Sequence, residues 1–157
     1  MTPSTGGPNL LELKRTVGNS YWRAALLLTS LAGIILAVGC INAVDKRDAH
    51  TQADRINQRI RSKEFAEIYK ASALRFKTVG SEADFVAWMS QLHETLGQLK
   101  HAQEIAYESG MDSRIGKTHK LVFALEFERG RARETLIMVR SPNGEMQLWK
   151  LGMEPAN

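Results

Sequence analysis

Residues 81–107, SEADFVAWMSQLHETLGQLKHAQEIAY, change their hydrophobic period midway, and that change decides the fold. In the first part Phe85, Trp88, Met89, Leu92 and Leu96 recur at helical spacing and form one apolar stripe. Ser81 stands where an N-cap is needed, with Asp84 three residues on to complete a capping-box pair and Glu82 favourable at the positive end of the helix dipole. Gly97 is the expected C-cap. Beyond it Leu99, His101, Gln103, Ile105 and Tyr107 alternate, so the period falls from 3.6 to 2 and a strand is predicted.

The same two periods extend outward. Downstream, Leu121, Phe123, Leu125 and Phe127 predict a second strand, with Val122 and Ala124 on its other face. Glu128-Arg129-Gly130-Arg131 turns into a third strand, Ala132 to Arg140. Ser141-Pro142-Asn143-Gly144 is a hairpin signal leading to a fourth, Glu145 to Met153. Upstream, from Asp45 to about Lys77, the pattern is helical: Ala53, Ile56 and Ile60 share one face, and Phe65, Ile68, Tyr69, Ser72, Ala73 and Phe76 form a second stripe. The step from Ile60 to Phe65 is five residues, which predicts a turn around Arg61-Ser62-Lys63. Helices followed by an antiparallel meander predict an α+β domain, with helices packed on one face of a curved four-stranded sheet.

The stretch Glu67-Ile68-Tyr69-Lys70-Ala71-Ser72-Ala73-Leu74-Arg75-Phe76-Lys77 resembles the "IY..AS..FK" signature of small envelope domains with a cystatin-like/NTF2-like roll. In that family a Ser-capped helix ending in Leu-Gly follows, here Leu96-Gly97, and the closing strand often reads Gly…Trp-Lys-Leu, here Gly144 and Trp149-Lys150-Leu151. The resemblance spans Ala53 to Met153 and rests on structural motifs, so it implies a fold more than an activity. Many such domains are membrane-anchored proteins or lipoproteins, and the resemblance implies the same here. A short tail, one span and such a roll is also the order found in type IV secretion assembly factors.

Anchoring is read independently from residues 24–44, which carry no formal charge between Arg23 and Asp45-Lys46-Arg47-Asp48. Twenty-one helical residues reach roughly 31 Å, about the thickness of a bilayer's hydrocarbon core. Two anchored readings stay open, with a cleaved soluble product as a third. One is an uncleaved transmembrane helix. The other is a bacterial lipoprotein signal, because Leu36-Ala37-Val38-Gly39-Cys40 resembles a lipobox in which Cys40 would carry lipid. Ala37 stands where such boxes usually have Leu, and the run continues through Ile41, Ala43 and Val44, which a span needs and a lipoprotein does not. The spanning helix is therefore preferred. The expected organisation is a disordered basic tail over 1–23, an anchor over 24–44 and a globular domain over 45–157. Counting basic residues alone favours a cytoplasmic domain, with Lys46, Arg47, Arg55, Arg59, Arg61 and Lys63 after the run against Lys14, Arg15 and Arg23 before it. However, Asp45, Asp48 and Asp54 dilute the second group, and large domains translocate largely regardless of charge. The short basic tail before a long domain resembles a signal anchor that leaves the domain on the periplasmic or extracellular side of the cytoplasmic membrane.

Charge excludes one large class. The tail holds Lys14, Arg15 and Arg23 against Glu12, leaving 18 basic and 16 acidic residues of the chain's 21 and 17 for the rest. A nearly balanced domain lacks the clustered basic face that nucleic-acid binding wants. With a single cysteine, no disulfide can form within the chain.

No catalytic, cofactor or metal motif is present, and the expectation is a non-enzyme without cofactor. His93 flanks the apolar stripe without a second ligand at helical spacing, and His50, His101 and His119 are scattered, so each reads as structural. Glu126, Glu128, Arg129, Arg131, Arg133 and Glu134 read as a solvated turn whose mixed charges blunt strand-to-strand aggregation, in preference to a polar partner-binding edge. Tyr69, Trp88 and Trp149 are candidates to line the pocket that a helix-on-sheet roll leaves open, although aromatics at regular spacing are commonly core, and Trp88 is expected there. Three function classes follow: a membrane-tethered, non-catalytic binding or accessory domain of the envelope, a structural subunit of an envelope or secretion assembly, and an enzyme using the pocket of the roll. The partners expected are the lipid bilayer and envelope proteins.

Overall fold

A computed structural model of the chain describes residues 43–156. The tail, Cys40 and all but the last two residues of the apolar run lie outside the described residues. Among those described, no helix is long and apolar enough to cross a membrane.

Helix α1 is described over residues 43–62. Ala49, Ala53, Ile56 and Ile60 are its buried stripe, and the two alanines let the helix lie close to the sheet. The turn predicted from the five-residue step is present: Lys63 takes a positive φ of 60° and α2, Phe65–Lys70, starts in a new phase. The stretch breaks a second time, where the stripe had predicted continuous helix. Ala71 to Ala73 leave the helical path before the short α3, Leu74–Lys77, and the Ala73 N–H donates to the carbonyl of Leu148. Tertiary pairing thus outcompetes local propensity there.

Helix α4, Glu82–Leu96, begins as its sequence requires. The Ser81 hydroxyl accepts from Asp84 N–H at 3.2 Å, and the Asp84 carboxylate accepts from Ser81 N–H. Gly97 closes it at φ 82°; a Cβ there would also sit 2.7 Å from the Glu128 carboxylate, so only glycine fits. α4 packs mainly on α2. Hence only Met89 of its stripe is fully buried, and Phe85, Leu92 and Leu96 are partly so.

Four strands, β1 (Leu99–Asp112), β2 (Gly116–Phe127), β3 (Gly130–Arg140) and β4 (Met146–Ala156), pair in chain order as an antiparallel meander. The fold is α+β, with helices over the inner face of a curved sheet. β2 keeps the predicted alternation, burying Leu121, Phe123, Leu125 and Phe127. β1 does not. Lys100 and Ile105 have no partner in the register with β2, and each marks a bulge that shifts the phase by one residue. Two shifts cancel, so Leu99 and Tyr107 face inward as predicted, but Ala102 and Glu104 replace His101, Gln103 and Ile105 between them.

Candidate functional site

A third bulge positions the site. In β4, Leu148 pairs with Met138 and Lys150 with Ile137, leaving Trp149 as the extra residue. Inward-facing positions switch there from Met146 and Leu148 to Leu151 and Met153, and bulges characteristically re-aim the side chain they carry. β4 is an edge strand, and the Ala73–Leu148 hydrogen bond (2.9 Å) fastens the α2–α3 junction beside the bulge.

The result is a groove of about 480 Å³ between α2, α3, α4 and β4. Tyr69, Trp88 and Trp149, from three different elements, all line it, together with Phe76, Phe85 and Leu151. Phe76 and Phe85 meet edge-to-face at 5.4 Å, Tyr69 lies 6.1 Å from both, and Trp88 is 5.9 Å from Phe85. Tyr69 is oriented from its hydroxyl, which donates to the Gly80 carbonyl at 2.8 Å. Trp88 is therefore not core: 39% of its surface is exposed, because α4 rests on α2 and turns this edge of its stripe outward. Val79 lines the groove at 82% exposure, and Leu74, next in sequence to the lining Arg75, is 80% exposed.

Polar groups at the rim are few. Arg75 and Lys150 supply positive charge. Asp84 is occupied by the capping box, and the Ser81 hydroxyl and N–H hold its carboxyl below the usual range. The groove offers aromatic and aliphatic surface with cations at its edge.

A second constellation escaped the sequence reading. His50, Tyr107 and His119, far apart in the chain, gather between α1 and the inner face of β1 and β2. Tyr107 Oη lies 2.8 Å from His119 Nδ1, and the Tyr107 ring packs against His50 at 5.1 Å. His50 Nδ1 donates to the Lys46 carbonyl, while Nε2 is 3.0 Å from Glu104. Burial, with Lys117 adding to it, lowers the pKa of His119. The signal was present: His119 continues the inward alternation of Leu121 to Phe127 by one step. Nearby, burial alone would raise the Asp45 carboxyl, but Lys117 at 2.7 Å and Arg140 at 2.8 Å outweigh it and hold it low.

The charged hairpin divides. Glu126, Glu128, Arg129, Arg131 and Arg133 are exposed as expected, and Arg129 donates to the Thr95 and Glu94 carbonyls at the end of α4. Glu134 is a correction: it is fully buried on the inner face of β3, with no cation paired to it among the described residues and the Asn57 side chain of α1 as its polar neighbour. Strand parity carries it inward with Ala132, Leu136 and Met138. Burial pushes its pKa up to about 8, with Asn57 of α1 opposing the rise. His93 packs against Phe65 at 6.5 Å, its Nε2 buried without a partner among the described residues; burial and then Lys63 lower its pKa. His101 is exposed on the outer face of β1. No group of three His, Cys, Asp or Glu is placed to hold a metal among the described residues.

Comparison with protein-family models and with curated protein sequences gives no match.

Proposed function

We propose that the protein is a membrane-tethered, non-catalytic binding or accessory domain of the bacterial envelope, with a cystatin-like/NTF2-like roll whose ligand surface is the aromatic groove. The observation that carries this reading is the convergence of Tyr69, Trp88 and Trp149 from α2, α4 and the β4 bulge on one groove. Concave, largely apolar sites with a few polar groups at the rim suit binding, and exposed aromatics are common anchors of interfaces. The non-catalytic reading draws support from Asp84, whose carboxylate is spent on the helix cap. The tether is the charge-free run of residues 24–44, held as a single span in the cytoplasmic membrane with the domain outside; a lipoprotein anchored at Cys40 is the alternative.

The exposed Leu74 and Val79 beside the groove favour a variant of this reading, a structural subunit whose groove receives an apolar segment of a neighbouring envelope protein. A photo-crosslinking side chain placed at position 88 of the full chain, in living cells, tests both. Adducts from position 88, lost on Trp149→Ala and absent from a crosslinker at position 105 on β1, are expected. Equal adducts from 88 and 105 would remove the groove from the interaction.

A further inference from the structure

A second groove, of about 460 Å³, lies between α1, the end of α2 and the β3–β4 turn. Its chemistry is the reverse of the first. Arg55 and Arg59 stand one helical turn apart on α1, and Lys70 faces them from the last turn of α2. Like charges at this spacing repel, so the pair opposes helix formation unless something neutralises it.

The protein's own acids do so only in part. Arg55 has neither an ion pair nor a side-chain hydrogen bond among the described residues. Arg59 uses one guanidinium N–H on the Glu67 carbonyl at 3.2 Å, and Lys70 uses one donor on the Glu67 carboxylate at 3.0 Å. Two carboxylates line the groove. Asp48 is occupied by Arg140 at 2.7 Å; Glu145 accepts from the neutral Asn143 amide at 3.1 Å and keeps its charge, so the three cations outnumber one remaining acid. Gln52 is the second observation. It keeps only 8% of its surface and lines the groove, yet its amide makes no hydrogen bond to another described residue. The amide is not sealed in the core but opens to the groove, where solvent or a ligand can reach it.

We propose that this groove is a binding site for a phosphate group, held by Arg55, Arg59 and Lys70 with the Gln52 amide donating from below. Guanidinium forks match phosphate oxygens in pairs, and the spare donors of two arginines and one lysine exceed what one phosphate dianion accepts. The site does not depend on the aromatic groove, and the two stand or fall separately. The phosphate can belong to a phospholipid headgroup or to a soluble phosphorylated molecule; the protein chemistry required is the same.

The test uses the full chain in a phosphate-free maltoside detergent, with inorganic phosphate as the probe and chloride keeping ionic strength constant. Saturable broadening of the phosphate ³¹P resonance is expected. Arg55→Gln should weaken it about tenfold, the loss of one charge-assisted contact, whereas Arg131→Gln on the distant hairpin should leave it unchanged. Phosphatidylglycerol mixed into the micelles and soluble glycerol phosphate then compete for the bound probe. Displacement at lower concentration by the lipid than by the soluble ester assigns a headgroup, and the reverse order assigns a free ligand. Absence of saturable broadening, equal binding by Arg55→Gln, or displacement by neither competitor would overturn the proposal.

Discussion

The backbone N–H of Ala73 donates to the carbonyl oxygen of Leu148 at 2.9 Å, and this bond joins the α2–α3 junction to the edge strand one residue before the Trp149 bulge. Ala73 has φ −60°, a value proline shares, so Ala73→Pro removes the donor with little demand on its own backbone torsion. The variant should lose about 1 kcal/mol or more of unfolding free energy, because a paired carbonyl is left without its donor. Trp149 emission should shift to the red as the junction loosens. Urea unfolding and tryptophan fluorescence measure both, and an unchanged spectrum would show that the bulge holds its shape without the junction.

Trp88 and Met89 are sequence neighbours with opposite fates. Met89 is completely buried, so Met89→Ala should cost about 2–5 kcal/mol. Trp88 lies largely at the groove wall, and Trp88→Ala should cost less than about 2 kcal/mol while removing groove function. Chemical denaturation of the two variants side by side decides the ranking. The reverse order would put Trp88 back in the core.

Glu134 makes stability fall as pH rises from 4.5 to about 8. Its folded pKa of about 8 lies above the 4.5 of an unperturbed glutamate, so the folded state holds the proton more tightly. Its contribution is fully present below 4.5 and is lost as pH rises towards about 8, with a slope of at most about 1.4 kcal/mol per pH unit. His93 and His119 act in the opposite sense. Burial depresses their pKa values below 6.5, so their contribution is present above 6.5 and is lost as pH falls. Between pH 7 and 8 the Glu134 effect therefore stands apart from the histidines. Glu134→Gln stays neutral, and its stability relative to wild type should grow steadily from pH 6 to pH 8. Parallel stability curves for the two proteins would refute the buried-acid account.

Cys40 separates the two anchors. If residues 24–44 remain as a span, Cys40→Ser changes one small side chain and membrane association persists, since the apolar run still fills the bilayer. In a lipoprotein the same substitution would block lipid attachment and leave an unprocessed precursor. Intact mass spectrometry of membrane-extracted protein should find an unlipidated chain that retains Leu10 to Gly39. A mass matching Cys40 to Asn157 plus acyl groups would replace the span with the lipid anchor.

Local chemistry was legible in the sequence wherever neighbours along the chain supply it. The Ser81–Asp84 cap, the Gly97 stop, the β3–β4 turn ending at Gly144 and the inward face of β2 each depend on residues a few positions apart. Strand order also followed for β2 to β4, whose turns are short. The β1–β2 turn was not legible, because residues 108–120 carry no apolar alternation and extend the two strands only by pairing with each other. Three things depended on contacts across the chain. Bulges at Lys100, Ile105 and Trp149 reset the strand parity, which no alternating pattern announces, and so decided which face Glu104 and Trp149 serve. The seat of α4 on α2 decided that Trp88 lines a groove. Pairing of α1 with the sheet gathered His50 with Tyr107 and His119, and enclosed Glu134 among apolar neighbours. The amino-acid order set the periods and the stops; the side of each element that meets water, and hence both grooves, was fixed only when the layers packed.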